Sequence, residues 1–226
     1  LLYYRAGDCR QRRNVLSMIQ IASMKKVFLV LLILLMLVPA SVRADNFERL
    51  RRDSSRISTI SADFVQKKFM KILSKPLVSE GKFYYTAPDS IRWEYSQPIK
   101  SVVISDKGNT KRYIASGGKM VEDKTGGAQA MKIVLDEVAG WMSGKFTSNP
   151  SFTATLKEGS NTQITLTPVG KSMAGMIEKI EITVTRKDAS IKSVRIVESA
   201  TAETRIDFQH VVINQEIQPS VFQGVQ

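Results

Sequence analysis

The stretch Gly81–Pro98, GKFYYTAPDSIRWEYSQP, decides the reading of the fold. Side chains along a strand alternate between faces, so Phe83 and Tyr85 share one face while Lys82 and Tyr84 take the other. Across the turn, Ile91, Trp93 and Tyr95 share a face, with Arg92 and Glu94 opposite. Thr86-Ala87-Pro88-Asp89-Ser90 supplies that turn: proline presets φ and aspartate bonds its own backbone. Pro98, which lacks an N–H for the ladder, ends the second strand. The result is a hairpin with an apolar, largely aromatic inner wall and a charged outer one. Such a wall serves either as ordinary core or as one side of a cavity for an apolar ligand.

Outward from the hairpin the same period continues. Ser61–Phe69 alternates before it, and Leu77–Tyr85, Ser90–Tyr95, Lys100–Ser105 and Thr110–Ala115 follow at short spacings. Lys107-Gly108-Asn109 and Gly117-Gly118 supply turns. Further strands are read at Phe152–Lys157, Gln163–Thr167, Ile177–Arg186, Ser190–Glu198 and Glu203–Ile213. Two segments break the pattern. Asp45–Arg56 reads as a first helix capped by Asp45, with Phe47, Leu50 and Ile57 along one side. Ala128–Ser143 carries Met131, Val134, Leu135, Val138, Trp141 and Met142 at helical spacings, with Gly144 placed to end it. The expectation is a mainly β chain of about eleven antiparallel strands, a barrel or half-barrel, with the second helix plugging one end.

The N-terminus reads as an address. Met24-Lys25-Lys26 precedes the apolar run VFLVLLILLMLVPA, and Val42 and Ala44 suit a signal-peptidase site. The run is shorter than the roughly 20 residues of a membrane span. Residues 1–23 are read as translation upstream of the true start, 24–44 as a secretory signal peptide and 45–226 as one exported domain. The full chain carries 33 Lys+Arg and 21 Asp+Glu, a net charge of +12. Seven of those basic residues and one acidic residue lie in 1–44, which leaves 26 against 20, or +6, for the remainder. These charges are scattered singly along strands, and no nucleic-acid partner is expected. Cys9 is the only cysteine, so 45–226 must be stabilised by a core and not by disulfides. His210 is the only histidine and has no Cys or His partner for a metal. No G-x-S-x-G elbow or phosphate loop is present, and Asp63, Glu80, Asp89, Glu94 and Asp106 read as solvated strand or turn residues. The expectation is a protein with no catalytic activity, no cofactor and no metal.

The helix before Ala62-Asp63-Phe64-Val65-Gln66-Lys67, the aromatic hairpin, Ile104-Ser105-Asp106-Lys107-Gly108 and Leu166-Thr167-Pro168 occur in a telling order. In that order the chain resembles the LolA-type periplasmic carriers of outer-membrane lipoproteins over nearly all of Asp45–Phe222. The resemblance implies an incomplete antiparallel β-barrel with a helical lid enclosing an apolar cavity, in a monomer that accepts lipoprotein acyl chains from an inner-membrane lipoprotein-releasing ABC transporter. It implies delivery at the outer membrane to an acceptor that the residues leave unidentified. Carried over by position, Phe64, Phe83, Tyr85, Ile91, Trp93 and Tyr95 would line the cavity. Met131, Leu135, Val138 and Met142 would belong to the lid. One position departs from the pattern: many family members have a lid-latching arginine immediately before the hairpin proline, where this chain has Ala87. Two other readings stay open, a paralogue that carries a different lipid or acyl conjugate, and a structural or adhesive secreted β protein.

Overall fold

The computed structural model describes residues 39–125, 127–170 and 177–225; within these, the side chains of 39–45, 127, 129–131 and 133 lie outside the description. Residues 1–38, which hold the upstream segment and the apolar run, also lie outside it. Phe47–Gln226 forms one compact unit.

Eleven strands make one antiparallel sheet. They are β1 (Thr59–Met70), β2 (Leu77–Thr86), β3 (Ser90–Gln97), β4 (Ser101–Asp106), β5 (Asn109–Ser116), β6 (Lys119–Glu122), β7 (Phe152–Lys157), β8 (Asn161–Pro168), β9 (Lys179–Thr185), β10 (Ile191–Ser199) and β11 (Ala202–Ile213). Their order is β6-β5-β4-β3-β2-β1-β11-β10-β9-β8-β7, so two meanders meet where β1 pairs with β11. β6 and β7 remain as edges, and the sheet does not close into a barrel. β6 is a strand that the sequence pattern leaves unassigned: its four residues are too few to display a period.

Helix α1 runs Pro39–Ser54 and α2 runs Gly127–Met142. The start of α1 differs from the expected Asp45 cap. The helix continues upstream to Pro39, so the N–H groups following residue 45 have helical carbonyl partners and need no side-chain cap. Its C-terminal part enters the core through Leu50, with Phe47 packed against it. Gly144 ends α2 at φ +74°, and a Cβ there would lie 2.8 Å from Arg51 Cα. Only glycine permits both the left-handed backbone and that approach of the α2 terminus to α1.

The main core lies between the inner face of the sheet and the two helices, and takes residues from both meanders. A smaller cluster lies on the outer face, where Val102 and Ile104 pack with Phe222 of the 3₁₀ turn Pro219–Phe222. Arg92 holds that C-terminal segment. Its Nη1 donates to the Val221 and Gly224 carbonyl oxygens at 3.1 and 2.7 Å, while its Nε donates to Glu94 at 2.9 Å. The outer position expected from alternation therefore has a structural task. His210, at φ 49°, sits at an irregularity in the β1–β11 register and has Nδ1 2.9 Å from Asp63 Oδ2.

Candidate functional site

The hairpin pairs Phe83 with Trp93 and Tyr85 with Ile91, and β1 lays Phe64 beside them. Ring centroids are 5.0 Å apart for Phe64–Trp93 and 5.3 Å for Phe83–Trp93. Phe208 of β11 joins from the second meander, 5.5 Å from Phe83 and 6.1 Å from Trp93. The tilted and edge-on arrangements suit aromatic quadrupoles. Gly81 makes this cluster possible. A Cβ at Gly81 would stand 1.8 Å from the Glu94 carbonyl oxygen and 2.8 Å from the Phe64 ring, which lies over it and meets Tyr95 edge-on at 5.2 Å.

Along the strands the wall divides. Phe64, Phe83, Tyr85 and Ile91 are wholly packed into the core. Trp93 and Tyr95, further toward the end of β3, instead border a cavity of about 150 Å³ under α2. From α2 come Val134, Leu135, Val138, Trp141 and Met142. From the second meander come Ile191, Val194 and Ile196 on β10 and Thr204, Ile206 and Phe208 on β11, with Gln66 of β1 completing the wall. Of the expected lid residues, Leu135, Val138 and Met142 thus face the cavity, whereas the Met131 side chain lies outside the described residues. The β10 and β11 contribution was missing from the sequence reading. Alternation put Val194 with Ile196 and Ile206 with Phe208, but it does not say which strands face the hairpin across the core.

The cavity is apolar with a polar end. Tyr95 Oη donates to Gln66 Oε1 at 3.0 Å. Burial pushes the Tyr95 phenol above its ordinary pKa, and likewise that of Tyr85. The Trp93 indole N–H lies near the Tyr95 hydroxyl and slightly favours its phenolate, yet Nε1 is buried and in bonding geometry with no described acceptor. One row beyond Gln66, Lys68 Nζ donates to Glu198 Oε1 at 2.6 Å, and Thr204 Oγ1 donates to the same oxygen at 3.0 Å.

Ala87 lies on the surface and its N–H donates to the Ser58 carbonyl oxygen at 2.8 Å, so its side chain holds nothing over α2. Among the described side chains of α2, the polar ties are local: Lys132 with Asp136 inside the helix, and Asn149 Nδ2 donating to Glu137 Oε1, both at 2.6 Å.

Several solved structures align with the chain. An uncharacterized conserved protein from Thermus thermophilus aligns at a TM-score of 0.51 and 8% identity, over 81% of this chain and 94% of its own. A DUF1329 family protein from Desulfovibrio piger aligns at 0.47 and 11% identity, over 81% and 97%. A LolA superfamily protein from Nitrosomonas europaea aligns at 0.40 and 6% identity, over 77% and 96%. No curated protein matches the chain in sequence. The family model of the outer membrane lipoprotein carrier protein LolA matches residues 55–224, which takes in every strand and α2, and on that match the chain belongs to the LolA family.

Proposed function

We propose that this protein is a non-catalytic carrier that shelters acyl chains of lipoproteins beneath α2. In this reading it works in the periplasm as a monomer. It takes its cargo from an inner-membrane lipoprotein-releasing ABC transporter and passes it to an acceptor at the outer membrane. The observation that carries the reading is the apolar void under α2, walled by that helix, the hairpin and β10–β11. Each CH₂ withdrawn from water into such a space contributes about 0.8 kcal/mol, enough over an acyl chain to favour capture without any polar contact. A second reading, a family member specialised for another lipid, draws on Ala87 at the position of the latching arginine.

An environment-sensitive apolar dye tests the reading. The protein should enhance its fluorescence, and added fatty acid should displace it. Ile196→Phe fills the void from a half-buried wall position, and Val134→Asp sets a charge at its exposed lip. Each should weaken dye binding about tenfold or more while the far-UV circular dichroism stays that of the parent. Undiminished dye binding in both variants would remove the cavity from the proposal. Mass spectrometry of co-purified lipid separates the two readings: triacylated lipoprotein supports the first, and a different lipid supports the second.

A further inference from the structure

One end of the sheet has a surface unlike the rest. β1 and β2 are joined there by residues 71–76, β3 and β4 by 98–100, and β10 and β11 by 200–201. The pairings Lys68–Leu77, Glu80–Gln97 and Met70–Ala202 place the three turns side by side. The turns display large apolar side chains: Ile72 is 89% exposed and Ile99 70%, with Leu73, Leu77 and Val78 also exposed. The β1–β2 turn is tied down, since Lys71 N donates to the Thr201 carbonyl oxygen and Leu73 N to that of Met70, each at 2.9 Å. Its apolar groups are thus held out on a made backbone and not left on a loose loop. Beside them runs an open groove of about 630 Å³, bordered by Met70, Leu73, Pro76 and Ala200.

Charge identifies the occupant. The segment 67–77, KKFMKILSKPL, has four lysines and no acidic residue, and the β3–β4 connection adds Lys100 next to Ile99. Lys68 is paired with Glu198 and Glu203 borders the groove, but at the turns themselves Lys71, Lys75 and Lys100 make no described ion pair. This positive ring around apolar tips fits an interface in which apolar groups enter the acyl boundary while ammonium groups meet anionic headgroups. A second copy would present the same positive ring and be repelled. We propose that this end is a docking tip for an anionic lipid bilayer surface, with Ile72 the foremost inserting side chain.

The place of the tip relative to the cavity gives it a use. Alternate positions on β1 run from Phe64 in the core to Gln66 at the cavity, Lys68 at its polar end and Met70 at the groove. From Gln66 to Met70 is only about 13 Å along the strand. The tip argument rests on exposure and charge and does not require the carrier reading, so the two can fail separately.

The test uses the full chain in a Cys9→Ser background, with a polarity-sensitive fluorophore on Ile72→Cys or, at the opposite end of the sheet, on Lys107→Cys. Vesicles of phosphatidylcholine alone are compared with vesicles in which about a third of the lipid is phosphatidylglycerol. The label at 72 should shift to the blue on the anionic vesicles and the label at 107 should not. With Lys71→Glu and Lys75→Glu, both exposed, half-maximal shift should need about tenfold more lipid, and about 1 M salt should weaken it in the parent. A silent label at 72 overturns the proposal, as does an equal shift at 107, which would report insertion of the N-terminal apolar run instead. A shift that grows with protein concentration in the absence of vesicles assigns the tip to self-association and also overturns it.

Discussion

Gly81 and Trp93 show how far single residues can be read. Gly81 stands in the sequence as the start of the hairpin, but the reason for it is tertiary. It depends on the Glu94 carbonyl and the Phe64 ring, whose positions follow from a register shift near Ser96 that no local pattern announces. Trp93 was legible as an inner-face aromatic, whereas its unpartnered Nε1 was not. That atom makes a prediction. Trp93→Phe removes a buried donor whose desolvation costs about 1–3 kcal/mol. It also enlarges the void, at about 24 cal/mol per Å³. The two oppose each other, so the variant should stay within about 1 kcal/mol of the parent in urea unfolding. Phe83→Ala, which removes a fully buried ring, should cost about 3–5 kcal/mol. A loss for Trp93→Phe as large as for Phe83→Ala would mean that the indole N–H has a partner after all.

At the scale of elements, α2 is a segment that packs over a void. Its apolar spacing was plain in the sequence, whereas its role as a lid came only with the family resemblance. The point along the hairpin where packing gives way to void was not legible, because strand alternation tells faces apart but not depth. Phe83 and Tyr85 share a face with the cavity residues yet lie in solid core. α2 borders the void with Leu135 and Val138, leaves Val134 exposed, and among its described side chains has only local polar ties. A helix so held should open with a smaller free energy than the sheet beneath it. Hydrogen exchange on the ligand-free protein should show the α2 amides exchanging faster than those of β1 and β11. Its protection should change little between low and high salt, since apolar contacts and not charges hold it. Protection of α2 equal to that of β1 would sink this view.

For the molecule as a whole, the local hairpins of both meanders were readable from alternation and turn residues. The pairing of β1 with β11 was not, since Phe64 meets Phe208 across 144 positions and nothing local links them. That seam brings β10 and β11 opposite the hairpin and so creates the second wall of the cavity. The size of the cavity then limits what the molecule can hold without rearranging. A void of about 150 Å³ lined by aliphatic and aromatic groups accepts a molecule of about benzene size. Across a series of saturated fatty acids, affinity should therefore rise steeply while the chain fills existing space, by about fourfold per carbon. Past about six carbons each further CH₂ must displace apolar contacts of α2, and the gain per carbon should fall. The longer chains should also raise exchange at the α2 amides, which the short ones leave unchanged. Leu135→Ala should move the break to longer chains, because it enlarges the void, at a stability cost of about 2–5 kcal/mol. Dye displacement and hydrogen exchange over the same series measure both effects. An unbroken slope to long chains, with α2 protection constant throughout, would mean that the acyl chains bind outside the cavity, and the open groove beside Met70 and Leu73 would be the place to look.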